Sequence, residues 1–179
     1  IEKYNGKIHF ILGMSMGGFI TIDLLSRFNI ECDKAILDSG YLKPWTRFNA
    51  KIMSKLVSWG FRKLIKGKSN LIIEKTMQTS MGYCFKKEDL CLDATKVTLK
   101  NSEYSCLTYQ LPELSKLGNM SVEYWYGKKD KNMIEGMKEL KKQLPNMKEI
   151  CFGDYGHGEF MFEHSEEYAD MVIKSVKNC

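Results

Sequence analysis

Among the side chains of this 179-residue chain that could do chemistry, Ser15 has the most unusual surroundings. It sits in Gly13-Met14-Ser15-Met16-Gly17-Gly18, a serine fenced by glycines. A hydroxyl is a poor nucleophile until a base takes its proton, and that base must be held by a third group. The chain has three histidines. His9 falls within a run that reads as a strand, where a satisfied or half-buried ring is expected, and His164 opens the last helix, where it caps or faces solvent. His157 stands between Gly156 and Gly158, directly after the last expected strand, at the edge where parallel sheets place their sites. It is the candidate base. Three carboxylates could orient it: Asp130 after a strand in "YWYGKKDKNM", Asp38 ending one in "AILDSG", and Asp154 three residues before His157. Asp154 reads as a turn residue bonding its own backbone. Asp130 and Asp38 remain as candidate acids.

These residues need elements to position them. Lys7 to Leu12 is a short apolar run with β-branched and aromatic residues, which predicts a buried strand. Phe19, Ile20, Ile22, Leu24, Leu25 and Phe28 then recur at helical spacing, so Ser15 lies at the apex of a strand-to-helix turn. Glycine at such a turn leaves room for a strained backbone. Lys34–Leu37 is a second strand, stopped by Asp38, Ser39 and Gly40. Ser121–Gly127 and Lys148–Phe152 give a third and a fourth. Between them "NMIEGMKELKKQLP" predicts a helix, with Asn132 and Glu135 spaced as a capping box, one apolar stripe, and Pro145 as its stop. A last helix starts near Ser165, with Glu166 and Glu167 favourable in its first turn. Strands alternating with helices predict parallel β-α units in a three-layer α/β sandwich.

The second and third strands are separated by far more chain than a usual connection needs. This interruption reads as a helical cap over residues 43–118, with 1–42 and 119–179 as the core. Trp45, Phe48, Ile52, Leu56 and Trp59 recur at helical spacing within it, with lysines between them. Such a stripe either faces an acyl group or is the packing face of the cap. Residues 43–75 carry nine Lys or Arg against the single acid Glu74. Basicity this local argues against a general nucleic-acid binder, and leaves docking of a basic amphipathic cap on anionic membranes as an alternative role.

Composition bounds the rest. With 44% apolar and 27% charged residues, this is an ordinary globular chain, long enough for one domain with a modest insertion. No stretch approaches a membrane span, and no charged leader precedes an apolar core. Cys32, Cys84, Cys91, Cys106, Cys151 and Cys179 form no C-x-x-C pair and no metal-type spacing. The expectation is a reducing, cytoplasmic setting, with neither metal nor cofactor.

The glycine-fenced Ser15 between strand and helix resembles the nucleophile elbow of the α/β-hydrolase superfamily. The later "YGKKD" and "GHGE" resemble the segments carrying that superfamily's acid and histidine, and the long insertion resembles its cap. The resemblance runs from the elbow strand to the end of the chain. It implies a truncated α/β-hydrolase fold in which Ser15 is the nucleophile, His157 the base and Asp130 its orienter, since the order Ser, Asp, His matches the family's scheme. Asp38 stays the alternative acid, and the backbone N–H of Met16 would be one oxyanion donor. The implied activity is hydrolysis of carboxylic esters, medium-chain or lipid-like acyl esters among them, and the other reading is a non-catalytic remnant. In the superfamily several strands precede the elbow, and a loop there supplies the second oxyanion donor. Here Ile1 lies shortly before Ser15. The expectation is a fragment or a shortened hydrolase, feeble by itself. Its first strand would be a sheet edge open to homodimerisation.

Overall fold

The computed structural model describes residues 6–28, 30–68, 71–83, 85, 86, 90, 93–118 and 120–177. Ile1, Cys84, Cys91 and Cys179 lie outside the described residues. Four strands, β1 (Lys7–Met14), β2 (Glu31–Asp38), β3 (Ser121–Tyr126) and β4 (Lys148–Cys151), form one sheet in the order 1-2-3-4. Every neighbouring pair is parallel. Parallel neighbours cannot be joined by a tight turn, so each connection crosses a face of the sheet and carries helix with it.

Alternation along the strands then sorts the layers. Ala35, Leu37, Val122 and Tyr124 share a buried cluster with Phe19, Ile22 and Leu25 of α1 (Met16–Arg27) and Met133, Met137 and Leu140 of α5 (Lys131–Gln143). Ile36 and Trp125 point the opposite way, to Phe160 of α6 (Glu159–Glu163) and Tyr168 of α7 (Ser165–Lys177). The result is helix, sheet, helix. Each such side chain removed from water contributes about 1.5–3 kcal/mol before the entropy of ordering it.

Two strands also bury an ion pair. Lys34 Nζ of β2 lies 3.0 Å from Glu123 Oε1 of β3 and donates to the carbonyl of Ser175 at 3.0 Å. Glu123 Oε2 accepts from Trp125 Nε1 at 2.8 Å and from the Ser175 hydroxyl at 3.1 Å. Burial works against this carboxylate, but its bonds to Lys34, Trp125 and Ser175 hold it below its ordinary range.

Between β2 and β3 lie α2 (Arg47–Ile65), α3 (Leu71–Met81) and α4 (Lys96–Thr108). Thr46 and Thr95 cap the first and last of these, accepting from the backbone N–H of Asn49 and Thr98. Phe61, Leu64, Ile73, Met77, Tyr83 and Phe85 give this region a cluster of its own.

Two expectations about the helices are corrected. The outer stripe of α2 neither packs nor lines a pocket: Phe48 is 73% exposed, and Ile52, Leu56 and Trp59 lie between 46% and 55%. The buried face of α2 is built from Ala50, Ser54 and Ser58 with Phe61 and Leu64. Ser54 and Ser58 tolerate burial because their hydroxyls donate to the carbonyls of Lys51 and Lys55, and small side chains let α2 lie closely along α4. The second correction concerns α5. It begins at Lys131, and its N-cap is Asp130, whose carboxylate accepts from Met133 N–H, so Asn132 is already inside the helix.

Candidate active site

β1 ends at Met14, and Ser15 turns the chain into α1 with φ 51 and ψ −120. A non-glycine residue held there costs on the order of 1–3 kcal/mol, and the surrounding backbone must enforce it. The Ser15 N–H donates to the carbonyl of Asp38 at 2.8 Å, and the Ser15 carbonyl accepts from Gly18 at 2.9 Å. The glycines do unequal work. A side chain on Gly13 would strike the carbonyl of Gly17, and one on Gly18 the backbone of Gly40, whereas one on Gly17 would meet open space.

The structure brings Ser15, His157 and Asp130 into one line. His157 Nε2 lies 2.8 Å from Ser15 Oγ, and His157 Nδ1 lies 2.6 Å from Asp130 Oδ2. An ionised carboxylate only accepts, so Nδ1 carries the ring proton and Nε2 accepts from the serine hydroxyl. Asp130 uses its two oxygens separately: Oδ2 holds the ring, while Oδ1 accepts from Met133 N–H at 3.4 Å and starts α5. The histidine loop is pinned at both sides. His157 N–H donates to the carbonyl of Met81, at the end of α3, and Gly156 N–H donates to Glu159 Oε2.

Asp130 and His157 are 2% and 7% exposed. Burial pushes the imidazole toward neutrality, but the hydrogen bond and charge of Asp130, with the charges of Asp38 and Glu103, hold its pKa above the ordinary value. Such a ring takes a proton from Ser15 more readily than a free imidazole.

Asp38, equally buried, does not reach the ring. Its carboxylate accepts from the Tyr168 hydroxyl at 2.8 Å and from the Ser39 hydroxyl at 3.2 Å. Burial raises its pKa to about 6, the Tyr168 bond offsetting part of the effect. His9 is satisfied without being buried. On the edge strand β1 it is exposed, with Nδ1 2.7 Å from Asp33. His164 bonds the Tyr155 hydroxyl at 2.7 Å, and Asp154 is an exposed partner of Lys128 at 3.8 Å.

Ser15 and His157 open onto a cavity of about 220 Å³ between core and insertion. Met16 and Phe19 of α1, Trp45, Met53 and Val57 around α2, and Glu103, Cys106 and Leu107 of α4 line it. Of the cap stripe, only Trp45 reaches it. Phe48, Ile52, Leu56 and Trp59 do not, because they sit on the opposite side of α2 from Met53 and Val57. Burial pushes the Cys106 thiol up to about 12, so it stays protonated and does not compete as a nucleophile. The N–H of Met16, at the first position of α1, has no intrahelical acceptor. Glu103 was missed in the sequence. The available signal was weak: Leu99, Glu103, Cys106 and Leu107 share one helix face at i, i+4, i+7 and i+8 spacing.

A parallel sheet whose first strand turns sharply through a serine into a helix, with histidine and aspartate following later strand ends, defines the α/β-hydrolase fold, here with four strands. No family model matches the chain, and no curated protein does either. Solved structures do match. An esterase from Thermogutta terrifontis is 16% identical with a TM-score of 0.70, over 99% of this chain and 67% of that one. An esterase from Exiguobacterium antarcticum is 19% identical with a TM-score of 0.67, over 93% and 65%. MenH from S. aureus is 19% identical with a TM-score of 0.64, over 99% and 71%. The chain thus spans about two thirds of the length of these structures. Among the described residues no helix is long and apolar enough to cross a membrane.

Proposed function

We propose that this chain carries the triad and acyl pocket of a serine hydrolase acting on short carboxylic esters. The observation that carries the reading is the unbroken line from Asp130 Oδ2 through His157 to Ser15 Oγ, ending on the wall of a cavity. Ser15 Oγ attacks the ester carbonyl as its proton moves to His157 Nε2. The carbonyl electrons become an oxyanion that accepts from Met16 N–H. Collapse of the tetrahedral adduct breaks the bond to the alkoxy oxygen, which leaves as alcohol with the proton from Nε2. Water, deprotonated by the same nitrogen, then releases the acid and restores Ser15. Asp130 keeps the ring in its working tautomer throughout.

A short substrate is favoured over a lipid-like one on two grounds. The cavity of about 220 Å³ is smaller than the 300–1,000 Å³ common for drug-sized ligands. Apart from Trp45, the stripe for which contact with an acyl chain was one of two readings faces away from it. The test is labelling of the chain with a fluorophosphonate probe, together with turnover of a short activated ester. Both should be lost in Ser15→Ala. Labelling or turnover that survives in that variant overturns the assignment of the nucleophile.

A further inference from the structure

Outside the line of three, Glu103 is the only acidic side chain on the cavity wall among the described residues. It stands on α4, on a wall made largely of apolar groups such as Phe19, Met53, Val57 and Leu107. Among the described residues no hydrogen bond or ion pair engages its carboxylate. Among the described residues the wall holds no Lys or Arg, and the titratable groups that sense Glu103 are His157 and the Cys106 thiol. Burial accordingly holds its carboxyl above the ordinary range. Glu103 is half-buried, so its carboxylate keeps part of its hydration, and on this apolar wall a donor brought by a ligand would find an acceptor with no partner among the described residues. An anionic ligand would instead meet Glu103 and Asp130 together.

We propose that Glu103 sets substrate choice by accepting from an ammonium or hydroxyl group on the acyl chain of a short ester bound at Ser15. The preferred substrates then carry a hydrogen-bond donor a few atoms from the scissile carbonyl, instead of plain hydrocarbon. This inference rests on the ester-hydrolase reading, and its test separates the two.

Methyl 3-aminopropanoate, methyl 3-hydroxypropanoate and methyl butanoate have chains of equal length. The ratio of kcat/KM for the amino ester over methyl butanoate should fall about tenfold to a hundredfold in Glu103→Gln, the size of one charge-assisted hydrogen bond. The hydroxy ester reports whether charge or hydrogen bonding dominates. The binding arm uses Ser15→Ala, which turns nothing over. There calorimetry should show the amino or the hydroxy ester binding at least tenfold tighter than methyl butanoate, with the amino ester's advantage gone in Ser15→Ala/Glu103→Gln and the hydroxy ester's in Ser15→Ala/Glu103→Ala, since a glutamine oxygen still accepts. Glu103→Ala replaces Glu103→Gln if circular dichroism shows the latter misfolded. If no ester is turned over, the hydrolase reading fails and the binding arm still decides the role of Glu103. Equal affinity for the three esters overturns it. So does a Glu103→Gln profile that shifts with pH alike for every ester at an unchanged ratio, since Glu103 then acts only through its field on His157.

Discussion

β2 and β3 bury charge at both of their ends, and the two ends differ in how the hydrogen bonds finish. Near the amino ends, Lys34 and Glu123 face each other, and Trp125 and Ser175 occupy the remaining bonding capacity of Glu123. The network ends on protein groups, the exposed Lys148 at 3.8 Å from Glu123 Oε1 being its one link to the surface among the described residues. Beyond the carboxyl ends, Asp130 holds His157, His157 meets Ser15, and the line stops at a cavity where a reacting atom could sit. Burial and ionisable side chains are common to both ends, so neither marks a site. What separates them is a hydrogen-bond chain with an open end.

The sharpest way to break this contrast is Asp130→Asn. An amide at the ring stabilises the wrong tautomer, and kcat for a short ester should fall by about 10⁴. The Oδ1 contact to Met133 N–H survives in asparagine, so α5 and the melting temperature should change little. A kcat within tenfold of wild type would remove Asp130 from the line. At the closed end the expectation inverts. Glu123→Gln strands the buried Lys34 ammonium and should destabilise by about 3–5 kcal/mol in urea unfolding, with kcat per folded molecule preserved. A large loss of kcat at full stability would show that the two ends are coupled.

Asp38 lies between these cases. Its pKa of about 6 in the fold exceeds the ordinary 3.8, so the folded state holds the proton more tightly than the unfolded chain. Below about pH 4 both states are protonated and the residue has no effect. As pH rises through this interval, stability falls, and above about pH 6 the buried charge costs the full difference, roughly 3 kcal/mol. Unfolding free energies of Asp38→Asn relative to wild type should therefore improve by up to that amount between pH 4 and pH 7. A pH-independent difference would place the charge of Asp38 elsewhere. The smallest effect is expected on the outer face of α2. Phe48→Ser should change stability by less than about 0.5 kcal/mol, as at other exposed positions. A loss beyond 1 kcal/mol would mean that this face is covered in solution.

The same contrast explains what could be read in the residues alone. The sheet was legible because β1, the second half of β2 and β3 carry apolar runs and turn residues follow the strands, and Ser15 and His157 announced themselves through flanking glycines. The choice between Asp130 and Asp38 was not legible. Both end strands, and only the fold shows that Tyr168 of α7, distant in sequence, engages one of them. Asn132 and Glu135 have the spacing of a capping box, but a carboxylate already needed at the ring takes the cap. In α2 the periodicity of large residues pointed to the wrong face. Ala50, Ser54 and Ser58 carry the packing, and hydropathy gives little weight to small or hydroxylated side chains whose value lies in letting backbones approach. Glu103 carries only a weak local signature, because its meaning comes from the cavity that the fold builds around it.

As a target for mutation, the turn at Ser15 is uneven. A one-base change can turn a glycine codon into one for alanine or serine. At Gly17 such a change adds a side chain to open space, and a lineage could accept it and keep the turn. At Gly13 and Gly18 the same change meets the backbone of Gly17 and Gly40, which belongs to the turn itself and to the end of β2 and has no rotamer to yield. Descendants of this sequence should therefore drift at Gly17 long before they drift at Gly13 or Gly18.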